Sequence, residues 1–232
     1  VPDAQFNSQG EMDRMEFQFG YERPGCASGT ATVAYSFMGG TYLETNAALD
    51  YTLCQAPGAE NPQATWGYLQ IDNRLPGLNE QMYIAGHPQG LPRKISWEST
   101  HAQDQSGFCE VASTSEPGCS GGPGDIGYYC DTEGGSSGSP VLSNVSHGVI
   151  SLHHCGTCPN RGVPITAVYS AIQGGKNPLP ACSLITAARL EYSTHTITDT
   201  PGGNNDGVVD PERQRVRPLQ RDSVAIDRLP LI

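Results

Sequence analysis

From Met15 to Phe19 the chain alternates apolar and polar residues, and Thr30 to Phe37 alternates more loosely. That period of two is the mark of half-buried strands. Gly39-Gly40 breaks the run as a turn, and Ala47-Ala-Leu-Asp-Tyr-Thr-Leu follows as a further short apolar segment. Trp66-Gly-Tyr-Leu-Gln-Ile and Met82-Tyr-Ile-Ala-Gly read as strands, as do Lys94-Ile-Ser-Trp and Phe108-Cys-Glu-Val. Residues 115–125 are rich in Gly and Pro and read as a surface loop tethered by a disulfide. Pro140-Val-Leu-Ser and His147-Gly-Val-Ile-Ser-Leu-His predict a hairpin entering the core, and Thr166 to Ile172 a strand running into a short helix. Many short strands with little helix predict an all-β sandwich or barrel. The core pattern extends over residues 1–190 and stops there. Residues 191–232 carry turn chemistry (Pro201-Gly-Gly-Asn-Asn-Asp-Gly) and five arginines, the pattern of a linker and tail or the opening of another module.

Composition sharpens this picture. With 232 residues, 37% hydrophobic, 28 Gly and 18 Pro, the chain can build a core and is rich in turns. A net charge of −11 excludes a nucleic-acid partner, which needs clustered Lys and Arg. No apolar run reaches about 18 residues, so no membrane partner is expected. Eight scattered cysteines predict disulfides and a secreted, extracellular protein rather than a zinc ribbon. Val1-Pro-Asp-Ala-Gln is polar, so an export leader is expected upstream of it and removed. No cofactor is expected.

The chemistry concentrates in Asp131-Thr-Glu-Gly-Gly-Ser-Ser-Gly-Ser-Pro-Val. A serine nucleophile needs a tight turn that exposes its hydroxyl and aims backbone N–H groups at a developing oxyanion. Gly134, Gly135 and Gly138 permit such a turn, and Pro140 leads out of it into a strand. A flexible Gly/Ser loop is the bland alternative, and the apolar run that follows argues against it.

This motif, preceded by Thr-Glu, resembles the nucleophile motif of the bacterial lysyl endopeptidases and related trypsin-like serine peptidases. Ile84-Ala-Gly-His-Pro, Lys94-Ile-Ser, Ala48-Leu-Asp-Tyr-Thr-Leu and Gly148-Val-Ile-Ser-Leu-His resemble further segments of that family in the same order. The resemblance spans about residues 12 to 175. It implies an all-β, chymotrypsin-like double β-barrel with the active site between the barrels, and protein or peptide substrates. It implies that Ser137 is the nucleophile and Asp50 the carboxylate that orients a histidine. It also implies that the Gly135 and Ser137 N–H groups form the oxyanion hole. Asp50 and Ser137 lie 87 positions apart, against roughly ninety in serine proteases of this type.

The histidine is the departure. In such enzymes the order is His, Asp, Ser, which puts the base at about residue 5. All six histidines follow Asp50: His87, His101, His147, His153, His154 and His195. The expectation is therefore an N-terminally truncated chain with its first barrel incomplete. Such a chain is nearly inactive alone, and a complementary N-terminal chain would carry the catalytic histidine. A pseudo-peptidase using the same fold as a protein-binding module is the alternative. For specificity, Asp131 stands where trypsin-like enzymes place the carboxylate that pairs with Lys or Arg, and His153 matches a histidine on the pocket wall of glutamyl endopeptidases. Cys158-Pro-Asn-Arg-Gly-Val lacks the acid of the lysyl group, so the expectation is a basic preference through Asp131.

Two other readings arise. His153-His-Cys-Gly-Thr-Cys could hold a metal or form a redox pair, but neighbouring strand residues face opposite ways, and a local disulfide or two bridges to distant cysteines fit better. Asn204-Asn-Asp-Gly lacks the acids that a calcium loop requires at its first and last positions. If the missing histidine turn carries a ninth cysteine, one of these eight lacks its partner, and Cys54 or Cys26 is the expected one.

Overall fold

The computed structural model describes residues 6–25 and 29–185. The alternating N-terminal segment forms β1 (Glu16–Phe19), paired antiparallel with β2 (Tyr35–Met38) so that Phe17 lies opposite Phe37. Their rings stack 5.1 Å apart, and Phe19 reaches Trp66 at 6.0 Å. Each such pair adds about 0.5–1.5 kcal/mol beyond the burial of its area. β3 (Thr41–Asn46) and β4 (Tyr51–Gln55) make a hairpin. Asn46 Oδ1 accepts the Ala48 and Leu49 N–H groups inside its turn. Asp50 then closes the turn with φ 48°, a left-handed conformation that Asp tolerates better than most residues.

The remaining strands are β5 (Met82–Gly86), β6 (Lys94–Ser96), β7 (Val111–Glu116), β8 (Asp125–Tyr128), β9 (Pro140–Ser143), β10 (Val149–Cys155) and β11 (Asn160–Pro164). They form one antiparallel sheet in the order β6-β5-β9-β10-β11-β8-β7. Its two ends meet. Gln81 bridges Glu110 and Glu98 bridges Phe108, with Met82 N–H donating to Cys109 O at 2.9 Å and Cys109 N–H to Trp97 O at 2.8 Å. The sheet thus closes on itself, which removes the exposed edges that would otherwise invite pairing with other chains.

Met82, Ile84, Val111, Ile126, Val141 and Ile150 fill the interior, each at most 3% exposed. The Cys109–Cys130 disulfide crosses it. A second core joins Leu49 and Tyr51 of the hairpin to Leu142, Val149, Val163 and the helix α3 (Ile165–Gln173). This packing brings Asp50 against the closed sheet. By contrast, β1–β2 and β3–β4 stand as two separate two-stranded pairs among the described residues. The molecule is therefore mostly β with few helices, as expected.

Three local expectations fail. Trp66–Ile71 is not a strand: Asn61 Oδ1 caps a short helix, α1 being Gln9–Met12 and α2 Pro62–Trp66, and Gly67 at φ 70° ends it. Asn then Pro at a helix start, and Gly just after its end, outweigh the apolar residues that follow. Thr166–Ile172 is helix throughout, because Ile165, Val168 and Ile172 recur on one buried face. The supposed loop at 115–125 is shorter: β7 runs through Glu116 and β8 begins at Asp125. The tether is real, a Cys119–Cys155 disulfide. Cys54, Cys158 and Cys182 are in no disulfide, and Cys26 lies outside the described residues. The expected tail, His195 and Asn204 also lie outside them.

Candidate active site

The Ser137 turn is fastened on both sides. Ser136 N–H donates to Glu133 O and Ser139 N–H to Ser136 O, both at 3.0 Å. Gly138 N–H donates to His153 O at 2.7 Å and His153 N–H to Ser139 O at 3.0 Å, which pins the turn to β10. Gln89 N–H donates to Gly134 O at 2.7 Å. Gly135 and Gly138 take φ 92° and 85°, open only to glycine without strain. A Cβ on Gly135 would also stand 3.2 Å from Gln89 N and 3.3 Å from Gly90 N.

Ser137 is left exposed at the apex, its Oγ donating weakly to His154 O at 3.5 Å. The N–H groups of Gly135 and Ser137 donate to no acceptor among the described residues. A nucleophile with two idle N–H donors beside it can bind an oxyanion as it forms. Among the described residues, no imidazole nitrogen lies within hydrogen-bonding distance of Ser137 Oγ.

A cleft of about 960 Å³ opens beside Ser137. Glu98, Asp131 and Glu133 line it, with His101, His153 and Asn160, and no Lys or Arg does. Asp131 is exposed rather than buried at the cleft floor. His153 is 2% exposed, and its Nδ1 meets Tyr128 Oη at 2.6 Å. Burial, and then the charge of His154, push its pKa down to about 4, so His153 is neutral at neutral pH. Gly162 faces it across the β10–β11 ladder, where a Cβ would stand 2.4 Å from Ser151 Oγ and 3.1 Å from Tyr128 Oη.

Asp50 does not meet Ser137 through a described side chain. It meets His154: Asp50 Oδ2 lies 3.4 Å from Nδ1, and Asp125 Oδ2 lies 3.0 Å from Nε2 on the other side of the ring. Burial disfavours charge on His154, but Asp125 and then Asp50 outweigh it, and its pKa is raised. Sequence reasoning missed Asp125, Tyr128 and the contacts of His154 with two carboxylates. One signal was available: adjacent histidines on a strand face opposite ways, so only one of the two could line the cleft. The acid that receives the other comes from a strand distant in sequence. His154, Cys119 and Cys155 place ligand atoms within 4.8 Å of one another, but both sulfurs are bonded in the disulfide.

The profile of the trypsin-like peptidase domain matches residues 28–151. The secreted RxLR effector protein 73 of Plasmopara viticola is 34% identical over 166 residues, covering 68% of this chain and 38% of that protein. The chain thus spans well under half the length of this curated relative. Among solved structures, the inactive Ser-to-Ala mutant of Rv3671c from M. tuberculosis is 15% identical with a TM-score of 0.44, covering 63% of this chain and 69% of that one. Deg5 is 14% identical with a TM-score of 0.46, covering 64% and 66%. Among the described residues, no helix is long and apolar enough to cross a membrane.

Proposed function

We propose that this chain, which belongs to the trypsin-like peptidase domain family, is a serine endopeptidase domain acting through an acyl-enzyme on Ser137. The observation that carries this reading is the exposed Ser137 hydroxyl on its fastened turn, with the idle Gly135 and Ser137 N–H groups beside a cleft. In the reaction Ser137 Oγ attacks the substrate carbonyl carbon, and the carbonyl oxygen takes up negative charge facing the two N–H groups. A base receives the Oγ proton and returns it to the leaving amine. Asp50 would orient that base. The family match supports the trypsin-like level of the resemblance; kinship with the lysyl endopeptidases rests on the sequence motifs alone. The disulfides and the secreted relative support an extracellular site of action.

The described residues offer Ser137 no imidazole. A site without its base keeps only the catalysis due to binding and the oxyanion donors, so the isolated chain turns substrate over slowly. A segment or chain beyond the described residues would supply the base, and a binding module is the reading that remains if none does. Three carboxylates and no cation around the cleft favour a basic substrate side chain. The preference is modest, because solvent screens the exposed Asp131, and neutral His153 offers no charge to an acidic substrate.

The test is hydrolysis of chromogenic peptide esters ending in Lys, Arg, Phe or Glu, with and without added imidazole. Turnover should be near background without imidazole, rise with it, be fastest for Lys and Arg, and vanish in Ser137→Ala. Hydrolysis unaffected by Ser137→Ala would end this reading, and fastest turnover of the Glu ester would end the basic preference.

A further inference from the structure

Three ionisable side chains from separate parts of the chain meet behind the Ser137 turn. Asp125, the first residue of β8, is 1% exposed. A carboxylate removed from water is strongly disfavoured unless charged or polar groups satisfy it. Asp125 Oδ2 has two such partners, the Cys119 N–H at 3.0 Å and His154 Nε2 at 3.0 Å. The His154 side chain is itself only 3% exposed, and on its far side stands Asp50, 14% exposed.

The protonation of the ring follows from this placement. If Nε2 carries the only proton and gives it to Asp125, the Nδ1 lone pair faces Asp50 Oδ2 at 3.4 Å with no donor between them. Nδ1 is buried and has no other hydrogen-bond partner among the described residues. Protonating both nitrogens turns that repulsion into an attraction on each side of the ring. Among the described residues, the remaining titratable neighbour is His153 on the same strand, whose ring turns to Tyr128 and is neutral. One edge of the cluster is stiff: the disulfide ties Cys119, the Asp125 donor, to Cys155 beside His154. Gly122, in the same tethered loop, packs so close to the Asp50 turn that a Cβ would fall 2.1 Å from Ala48 O.

We propose that His154, held as an imidazolium by the buried Asp125, is a positioning residue that anchors Asp50 from the closed sheet. The functional consequence rests on the reading of Asp50 as the site's orienting carboxylate. Asp125 then governs the Ser137 site without touching Ser137 or the cleft. Substituting it releases the proton of His154 at a lower pH and with it the hold on Asp50.

The test follows the imidazole nitrogens of the full ¹⁵N-labelled chain by NMR across pH, with the His154 signals assigned by their loss in His154→Gln. The wild-type His154 ring should keep both protons above pH 6.5, the ordinary midpoint of an imidazole. Asp125→Asn and Asp50→Asn should each lower its midpoint, the former more, with the backbone amide spectrum reporting that the fold is kept. A His154 midpoint at or below 6.5, or one unmoved by Asp50→Asn, would overturn the proposal. The wild-type and Asp50→Asn measurements suffice if Asp125→Asn does not fold. A second readout is imidazole-supported ester hydrolysis, which should lose kcat in Asp125→Asn with KM unchanged. Absence of hydrolysis in the wild type counts against the Ser137 reading, and the NMR titration then decides the role of His154 by itself.

Discussion

At Gly135 the two demands that the proposed role of Ser137 places on its turn coincide in one residue. Its φ of 92° excludes an L side chain without strain, and its N–H is one of the two idle donors. Gly135→Ala should therefore misplace that donor. Loss of one oxyanion donor lowers kcat by about 10²–10³-fold, and imidazole-supported hydrolysis should fall by that order while KM changes little. A Gly135→Ala variant with unaltered kcat would remove this peptide from the site. His153 and His154 show how closely spaced residues diverge. One faces Tyr128 and the cleft, the other two carboxylates. Their adjacency was visible in the sequence and so was the strand that separates their faces. Which acids receive His154 was not, because Asp50 and Asp125 reach it only through the packing of a hairpin turn and a loop-flanked strand.

Strands were readable wherever alternation or an uninterrupted apolar run stood between turn residues, as in β1, β5, β6, β9 and β10. The strands missed are those whose patterns are diluted. β8 begins with a buried acid and contains Gly127, and β11 (Asn160–Pro164) contains an Arg and three turn formers. Both are strands because neighbours on each side supply ladder partners, a tertiary effect that local pattern cannot carry. The interior they enclose predicts its own sensitivity. Ile150 on β10 is fully buried, so Ile150→Ala should destabilise by about 2–5 kcal/mol, read from urea unfolding. Gly162→Ala on β11 meets Ser151 Oγ, Leu152 O and Tyr128 Oη at 3.1 Å or less and should cost about 1–3 kcal/mol by overpacking. A neutral outcome at both positions would mean that the closed sheet is not packed as described.

Over the whole molecule, two histidines pull stability in opposite directions with pH. His153 is buried neutral, with a folded pKa of about 4 against 6.5 ordinarily. Between those values the unfolded chain binds a proton that the folded chain refuses, so stability falls as pH drops through that window. Glu80, which Arg74 holds down to about 2 from 4.5, adds a further loss as pH falls through its own window. For His154 the folded value is raised. Its stabilising contribution is whole below the unfolded value and fades as pH rises through the folded one. Urea midpoints against pH should therefore peak near neutrality, and His153→Gln should flatten the slope between pH 4 and 6.5. An unchanged slope would contradict the buried neutral assignment.

The Ser137 turn was readable because local glycine chemistry specifies it, and the family because several motifs resemble its members in the same order; the environment of Asp50 was not, because it forms across the molecule. The central claim remains that Ser137 accepts an acyl group. The most direct measurement is the intact mass of the chain after incubation with p-nitrophenyl guanidinobenzoate and imidazole, followed by peptide mapping. A single guanidinobenzoyl adduct on Ser137, absent from Ser137→Ala, is the predicted result. An unmodified chain, or an adduct that persists in Ser137→Ala, would contradict it.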